Sequence, residues 1–169
     1  TNFIRHADVV QIACLAQIVN VIAPILTRHD GLLIQSIYYP WVLASQAAKG
    51  EALVPQVTGP LVAAGERGDV PAIDAALTYD HGVLAAILVN RSLSSDAVVE
   101  VRAADRKITK VLSAEVLGGG GAAGCKLANS WEKPNVVKVV PGKTVLADGK
   151  VLITVPGPGF AVVRLATEA

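Results

Sequence analysis

Ile73-Asp74-Ala75-Ala76-Leu77-Thr78-Tyr79 runs into the turn Asp80-His81-Gly82 and then into Val83-Leu84-Ala85-Ala86-Ile87-Leu88-Val89-Asn90. Two apolar runs of strand length on either side of a Gly-containing turn read as a β-hairpin. The same grammar continues toward the C-terminus. Ala97–Ala103 and Ile108–Leu117 are two further strands, parted by the charged turn Asp105-Arg106-Lys107. Gly118 to Gly121 with Ala122-Ala123-Gly124 is a loop. Val136–Val140, Thr144–Leu146, Val151–Val155 and Phe160–Leu165 follow, separated by Pro141-Gly142, Asp148-Gly149 and Pro156-Gly157-Pro158-Gly159. Short strands at this spacing imply a β-sandwich of Greek-key or jelly-roll type over residues 50–169.

Upstream of Gly50 the sequence changes character. Asp8–Ile22 carries apolar residues on nearly every side of a helix (Val9, Val10, Ile12, Leu15, Ile18, Val19, Ile22), so a helix there must be covered all round. Pro24 ends it, and Arg28-His29-Asp30-Gly31 is a polar turn. Leu32–Tyr38 is then a short apolar strand, and Tyr39-Pro40 opens a second helix that runs through Trp41, Leu43 and Ala47 to Gly50. Helix, apolar strand, helix is the pattern of a parallel α/β sheet or barrel. One strand makes no sheet, so residues 1–49 cannot be an autonomous domain. The expected class is therefore mixed: a helix–strand–helix end of a barrel followed by an all-β sandwich.

Composition narrows the function. The chain of 169 residues is 52% hydrophobic and 17% charged, enough apolar mass to fill a core. With a net charge of +1 and scattered Lys and Arg, it offers no basic stripe for a nucleic acid. Gln11, Gln17, Asn20 and Pro24 interrupt the apolar stretch Val9–Leu26 and argue against a membrane span. Two cysteines far apart, Cys14 and Cys125, read as buried free thiols rather than a disulfide framework.

The candidate chemistry is sparse. The fourteen acidic residues sit mostly in turns (Asp80, Asp96, Asp105, Asp148), near a helix start (Asp8), just before the apolar strand (Asp30), or at outward strand positions (Glu100, Glu115). No pair is set up to flank a scissile bond. His6, His29 and His81 lack metal-site spacing, no nucleophile elbow surrounds any serine, and no cofactor is implied. Asn90-Arg91-Ser92 matches a glycosylation sequon, of consequence only in a secreted eukaryotic protein. Gln35 stands apart, because an amide inside an apolar strand must find partners or cost about 1–3 kcal/mol. A hydrogen bond to a neighbouring loop and a donor–acceptor pair aimed at a sugar hydroxyl both satisfy it. Tyr38 and Tyr39 could line the same mouth or simply pack.

Asn2-Phe3-Ile4-Arg5-His6-Ala7-Asp8, Ala13-Cys14-Leu15-Ala16-Gln17-Ile18-Val19-Asn20-Val21-Ile22-Ala23-Pro24-Ile25 and Gln35-Ser36-Ile37-Tyr38-Tyr39-Pro40 together closely resemble α-L-arabinofuranosidases of glycoside hydrolase family 51. The strand region resembles them more loosely, through Ala76-Leu77-Thr78-Tyr79, Val89-Asn90-Arg91-Ser92, Leu127-Ala128-Asn129-Ser130 and Phe160–Leu165. The resemblance implies that residues 1–49 close a (β/α)8 catalytic barrel and residues 50–169 form the sandwich beside it. It implies a retaining double displacement that releases terminal α-L-arabinofuranose from arabinan- or arabinoxylan-type chains, with both catalytic glutamates outside this chain. It places Gln35 on the glutamine that hydrogen-bonds arabinose in the −1 subsite. The partners implied are arabinofuranosyl oligosaccharides, the remaining N-terminal part of the enzyme and further copies in a homo-oligomer. Free thiols at Cys14 and Cys125 favour a reducing compartment, so the expected location is the cytoplasm, with secretion as the alternative. The family's sandwich is completed by N-terminal chain, so the expectation is a piece of a longer protein or a pairing with a second polypeptide. An endoglucanase-type hydrolase is the alternative within the family. A non-catalytic carbohydrate-binding sandwich, with Trp131 and Tyr79 as its few platform aromatics, and a purely structural domain are the alternatives outside it.

Overall fold

The computed structural model describes residues 1–168 and, Arg67 apart, their side chains. In chain order the elements are α1 (Asn2–Arg5), β1 (Ile25–Arg28), β2 (Gly31–Ile34), α2 (Tyr38–Ala47), β3 (Glu51–Leu53), β4 (Leu61–Ala63), β5 (Asp69–Pro71), β6 (Ile73–Asp80), β7 (Val83–Asn90), β8 (Ala97–Val101), β9 (Lys107–Gly118), α3 (Gly121–Gly124), β10 (Val140–Pro141), β11 (Thr144–Ala147), β12 (Lys150–Val155) and β13 (Gly159–Glu168). A six-stranded sheet in the order β10-β9-β13-β7-β6-β3 faces a three-stranded sheet in the order β11-β12-β8. This is the expected β-sandwich. No described helix is long and apolar enough to cross a membrane.

The hairpins follow from turn chemistry. Asp80 pairs Val83 across His81-Gly82, and Ala147 pairs Lys150 across Asp148-Gly149. Both loops have positive φ at both central residues, the mirror-image turn whose twist matches that of the flanking strands. The core lies between the sheets. Leu84, Ala86 and Leu88 of β7 and Ala161, Val163 and Leu165 of β13 meet Val151, Ile153 and Val155 of β12. β12 alternates buried with half-buried residues, whereas the middle of β7 is buried on both faces. The second face of β7 is covered by α2. Leu43, Ala44 and Ala47 pack with Ile4 over Ala85, Ile87 and Val162. The Thr78 hydroxyl, buried under the helix, donates to the Ala47 carbonyl at 2.7 Å and satisfies one of the helix's terminal acceptors. Gly50, just beyond, has φ +68°, and a Cβ there would lie 2.1 Å from the Tyr79 carbonyl oxygen.

Three expectations for the chain before Gly50 need correction. Asp8–Ile22 is not a helix: past α1 and a turn the segment is irregular up to β1. A helix of that length is marginal in water without a covering surface, and an all-round apolar one has nothing here to bury it. Asn20 ties the segment to β1 instead, its side-chain carbonyl accepting from the Thr27 N–H at 2.7 Å. The expected strand Leu32–Tyr38 is shorter and starts earlier, and it pairs antiparallel with β1 across His29-Asp30 rather than standing in a parallel sheet. The second helix forms as expected, with Pro40 in its first turn, but ends at Ala47.

Two more expectations give way elsewhere. Cys14 and Cys125 are unpaired but exposed, not buried. Of Val136–Val140 only Val140 enters a strand, because both backbone groups of Val137 are taken by a side chain, that of Asn129. The sequon asparagine Asn90 is 1% exposed, and its amide bonds Ser95, Val155 and Ser92, which leaves no room for a glycan in the folded chain.

Candidate functional site

Gln35 follows β2 directly and is half-buried. Its backbone N–H donates to the Pro24 carbonyl at 2.8 Å, and its side-chain Nε2 donates to the Ala23 carbonyl at 2.5 Å. Ala23 is itself fully buried, so this anchor does not move freely. Among the described residues the side-chain oxygen of Gln35 accepts no hydrogen bond. The donor half of the amide thus makes the loop contact of the structural alternative, and the acceptor half is open to a hydroxyl donor.

The sandwich reaches this segment through one loop. Asn129, 9% exposed, donates from Nδ2 to the Ile34 carbonyl and to the Val137 carbonyl, both at 2.9 Å, and accepts from the Val137 N–H at 2.7 Å. Two residues on, Trp131 lies against the β1–β2 turn. Its ring would be 3.5 Å from a Cβ at Gly31, and the Arg28 guanidinium sits 4.3 Å from the ring centroid. Arg28 also pairs with Asp30 at 2.7 Å. Glu132 is held below the usual carboxylate range by its own backbone N–H and by Ser130, with the Arg28 charge contributing less. Tyr38 and Tyr39 meet edge to face, centroids 5.8 Å apart. Sequence reasoning missed Asn129 as a site residue, although Leu127-Ala128-Asn129-Ser130 carried part of the resemblance.

Four carboxylates of the strand region have partners of their own. Asp74 is held by Thr1, Arg5 and Arg91. Burial opposes its ionisation, but the hydrogen bonds from Thr1 and Arg5 and the charges of Arg5 and Arg91 outweigh that and leave its carboxyl below the ordinary range. Glu100 pairs with Lys150 at 2.8 Å, Asp105 with Arg106 at 2.6 Å, and Asp96 accepts from the Gly157 N–H at 3.0 Å. Tyr79, like Trp131, has a guanidinium over its ring, that of Arg106 at 4.2 Å. A cleft of about 50 Å³ between the end of α2 and the large sheet, lined by Gln46, Lys49, Thr78, Asp80 and Arg164, has room for water but not for a sugar ring.

Residues 1–158 match the family described as the α-L-arabinofuranosidase C-terminal domain. The intracellular exo-α-(1→5)-L-arabinofuranosidase 1 of Bacillus subtilis is 46% identical over 81 residues, 47% of this chain and 16% of that protein. The intracellular exo-α-(1→5)-L-arabinofuranosidase of Streptomyces lividans is 31% identical over 98% of this chain and 25% of its own length. A solved family 51 α-L-arabinofuranosidase from Bifidobacterium longum superposes with a TM-score of 0.85 at 29% identity, over 95% of this chain and 32% of that one. The chain therefore spans between about a sixth and a third of the length of these relatives. With residues 1–158 matched, the N-terminal segment together with the sandwich as far as β12, the chain belongs to the α-L-arabinofuranosidase C-terminal domain family.

Proposed function

We propose that this chain is the C-terminal portion of a retaining glycoside hydrolase that releases terminal α-L-arabinofuranosyl residues from arabinan- or arabinoxylan-type substrates. The observation that carries the proposal is the family match over residues 1–158, which takes in the Gln35 segment together with the sandwich as far as β12. Hydrolysis with retention needs two facing carboxylic groups. Asp74, Glu100 and Asp105 are paired with cationic side chains, and the family resemblance puts both catalytic glutamates in the preceding part of the enzyme. Gln35 contributes its side-chain oxygen as acceptor for an arabinose hydroxyl, while its Nε2 stays on Ala23.

Residues 1–49 close a (β/α)8 barrel in that enzyme, and residues 50–169 are the sandwich packed beside it. Two features of the segment before β1 support this assignment. Ile12 is 82% exposed and Val21 79% exposed. Val21, β-branched, also sits at φ +61°, a left-handed backbone that costs roughly 1–2 kcal/mol. Barrel neighbours would cover these side chains and let the segment take the helical form its apolar pattern encodes. The names of the relatives put those enzymes inside the cell, and we extend that location to this one. A homo-oligomer, as the family resemblance implies, is part of the same proposal. An exo-acting arabinofuranosidase fits better than an endoglucanase because the relatives are named for exo-cleavage. A carbohydrate-binding module fits less well, since an arginine occupies a face of both Trp131 and Tyr79.

Gln35→Ala in the full-length enzyme tests the proposal. Loss of a hydrogen bond to substrate lowers kcat/KM about three- to tenfold on p-nitrophenyl α-L-arabinofuranoside. A lower melting temperature with kcat/KM preserved in the folded fraction would take Gln35 out of the substrate site.

A further inference from the structure

We infer that Asn129 is a positioning residue for Gln35: a loop of the sandwich sets the aim of the sugar-binding amide. The inference rests on the assignment of Gln35 to the substrate site. A peptide unit is planar, so fixing its two polar ends fixes the orientation of the whole plane. The Ile34–Gln35 peptide is held in this way. Its carbonyl accepts from Asn129 Nδ2 at 2.9 Å, and its N–H donates to the Pro24 carbonyl at 2.8 Å. Gln35 Cα is one of the six atoms of that plane, so these two bonds fix the point from which the side chain leaves the backbone.

Asn129 is itself immobile. Its second N–H is on the Val137 carbonyl, its oxygen accepts from the Val137 N–H, and the residue is 9% exposed. Both donors and the acceptor oxygen of the amide are engaged, and all three groups they touch are backbone. Trp131 supports the same loop against Gly31 at the far end of the hairpin. Without Asn129, the Ile34 carbonyl has no partner from the sandwich and the plane can tilt about its remaining bond to Pro24. A displacement of the order of 1 Å at a substrate-binding group is enough to cost rate.

A double-mutant cycle in the full-length enzyme tests this, with kcat/KM on p-nitrophenyl α-L-arabinofuranoside measured per folded molecule. Gln35→Ala and Asn129→Ala each lower kcat/KM by about three- to tenfold, and the double variant is no worse than the weaker single variant, because Asn129 acts through Gln35. A merely structural Asn129 would lower the melting temperature without this coupling. Asn129→Ala with unchanged kcat/KM, or with losses that multiply in the double variant, overturns the inference while leaving Gln35 in the site. Unchanged kcat/KM for Gln35→Ala overturns the assignment of Gln35 and this inference with it. If Asn129→Ala does not fold, Asn129→Ser takes its place in the cycle. Its hydroxyl can still accept from the Val137 N–H but is too short to reach Ile34, and the same outcomes decide.

Discussion

Replacing Asp74 with Asn keeps the shape of the side chain and removes its charge. Asp74 projects from β6 with a side chain only 14% exposed, and it gathers the Thr1 hydroxyl at 2.5 Å, the Arg5 guanidinium, and Arg91 at 3.1 Å. It is the main polar tie between α1 and the large sheet. A hydrogen bond to a charged group contributes about 1.5–3 kcal/mol, but both arginines keep solvent contact, 26% and 37% exposed, which lowers the share each supplies. Asp74→Asn should therefore weaken the attachment of α1 by about 2–3 kcal/mol. In a multi-domain enzyme this is a local opening rather than a shift of one global melt, so amide exchange is the suitable assay. The Arg5 and His6 N–H groups, bonded to the Thr1 and Asn2 carbonyls, should exchange roughly thirty- to a hundredfold faster in the variant at pH 7. The pH dependence has a definite sign. A carboxyl whose folded pKa is depressed contributes stability above its unfolded value of 3.8, and that contribution is lost as pH falls through the lower folded value. The ratio of the two exchange rates should hasten toward one only below that range. A ratio near one at pH 7, or a large ratio that persists in strong acid, would refute the role given to the Asp74 charge.

Gly50→Ala should lower the stability of the α2–sheet contact by more than the roughly 1–2 kcal/mol of a left-handed non-glycine backbone, since its Cβ would also meet the Tyr79 carbonyl at 2.1 Å; faster exchange of the Thr78 and Ala48 amides is the readout, and wild-type rates would count against it. The isolated chain should not hydrolyse p-nitrophenyl α-L-arabinofuranoside, and turnover by chain free of host enzyme would show that a carboxylate pair exists within it. Expressed alone it should associate or bind a hydrophobic dye through Val9, Ile12, Val21 and Ile22; a monodisperse, dye-silent monomer in size-exclusion chromatography would mean that the segment before β1 is covered from within.

What the sequence made legible is the part whose structure is decided locally. His81-Gly82 and Asp148-Gly149 specify their turns, and the adjoining runs β6, β7, β11 and β12 lie close to where apolar content and turn residues put them. The strands that follow Asp105-Arg106-Lys107 and Pro156-Gly157-Pro158-Gly159 are also found, though β9 and β13 extend past the apolar run at both ends because each pairs along its whole length with the other. The helix expected over Asp8–Ile22 fails for the opposite reason. Its pattern records a requirement for surroundings, and Val9, Ile12, Val21 and Ile22 all stand exposed. The three-residue strands β3, β4 and β5 are too short to leave a pattern, and they exist only because a partner edge is adjacent.

The site was half legible for a related reason. An amide in an apolar strand announces that it needs partners, and Gln35 could be singled out on that ground alone. Which partners it finds depends on chain distant in sequence, and no local rule supplies them. Ala23 and Pro24 lie within the same segment, but Asn129 is 94 positions away from Gln35 and follows nine of the thirteen described strands. Its effect also appears in the expectation that failed nearby. Val136–Val140 has the composition of a strand, yet the edge of Val137 is occupied by the Asn129 amide, which pairs with both its backbone groups as a neighbouring strand would. One side chain thus removes a strand from the sandwich and uses the freed loop to grip the peptide before Gln35. That exchange of regular structure for a long-range tie joins the sandwich to the Gln35 segment. On the proposed role of Gln35, it gives the sandwich a part in the reaction without a catalytic group of its own.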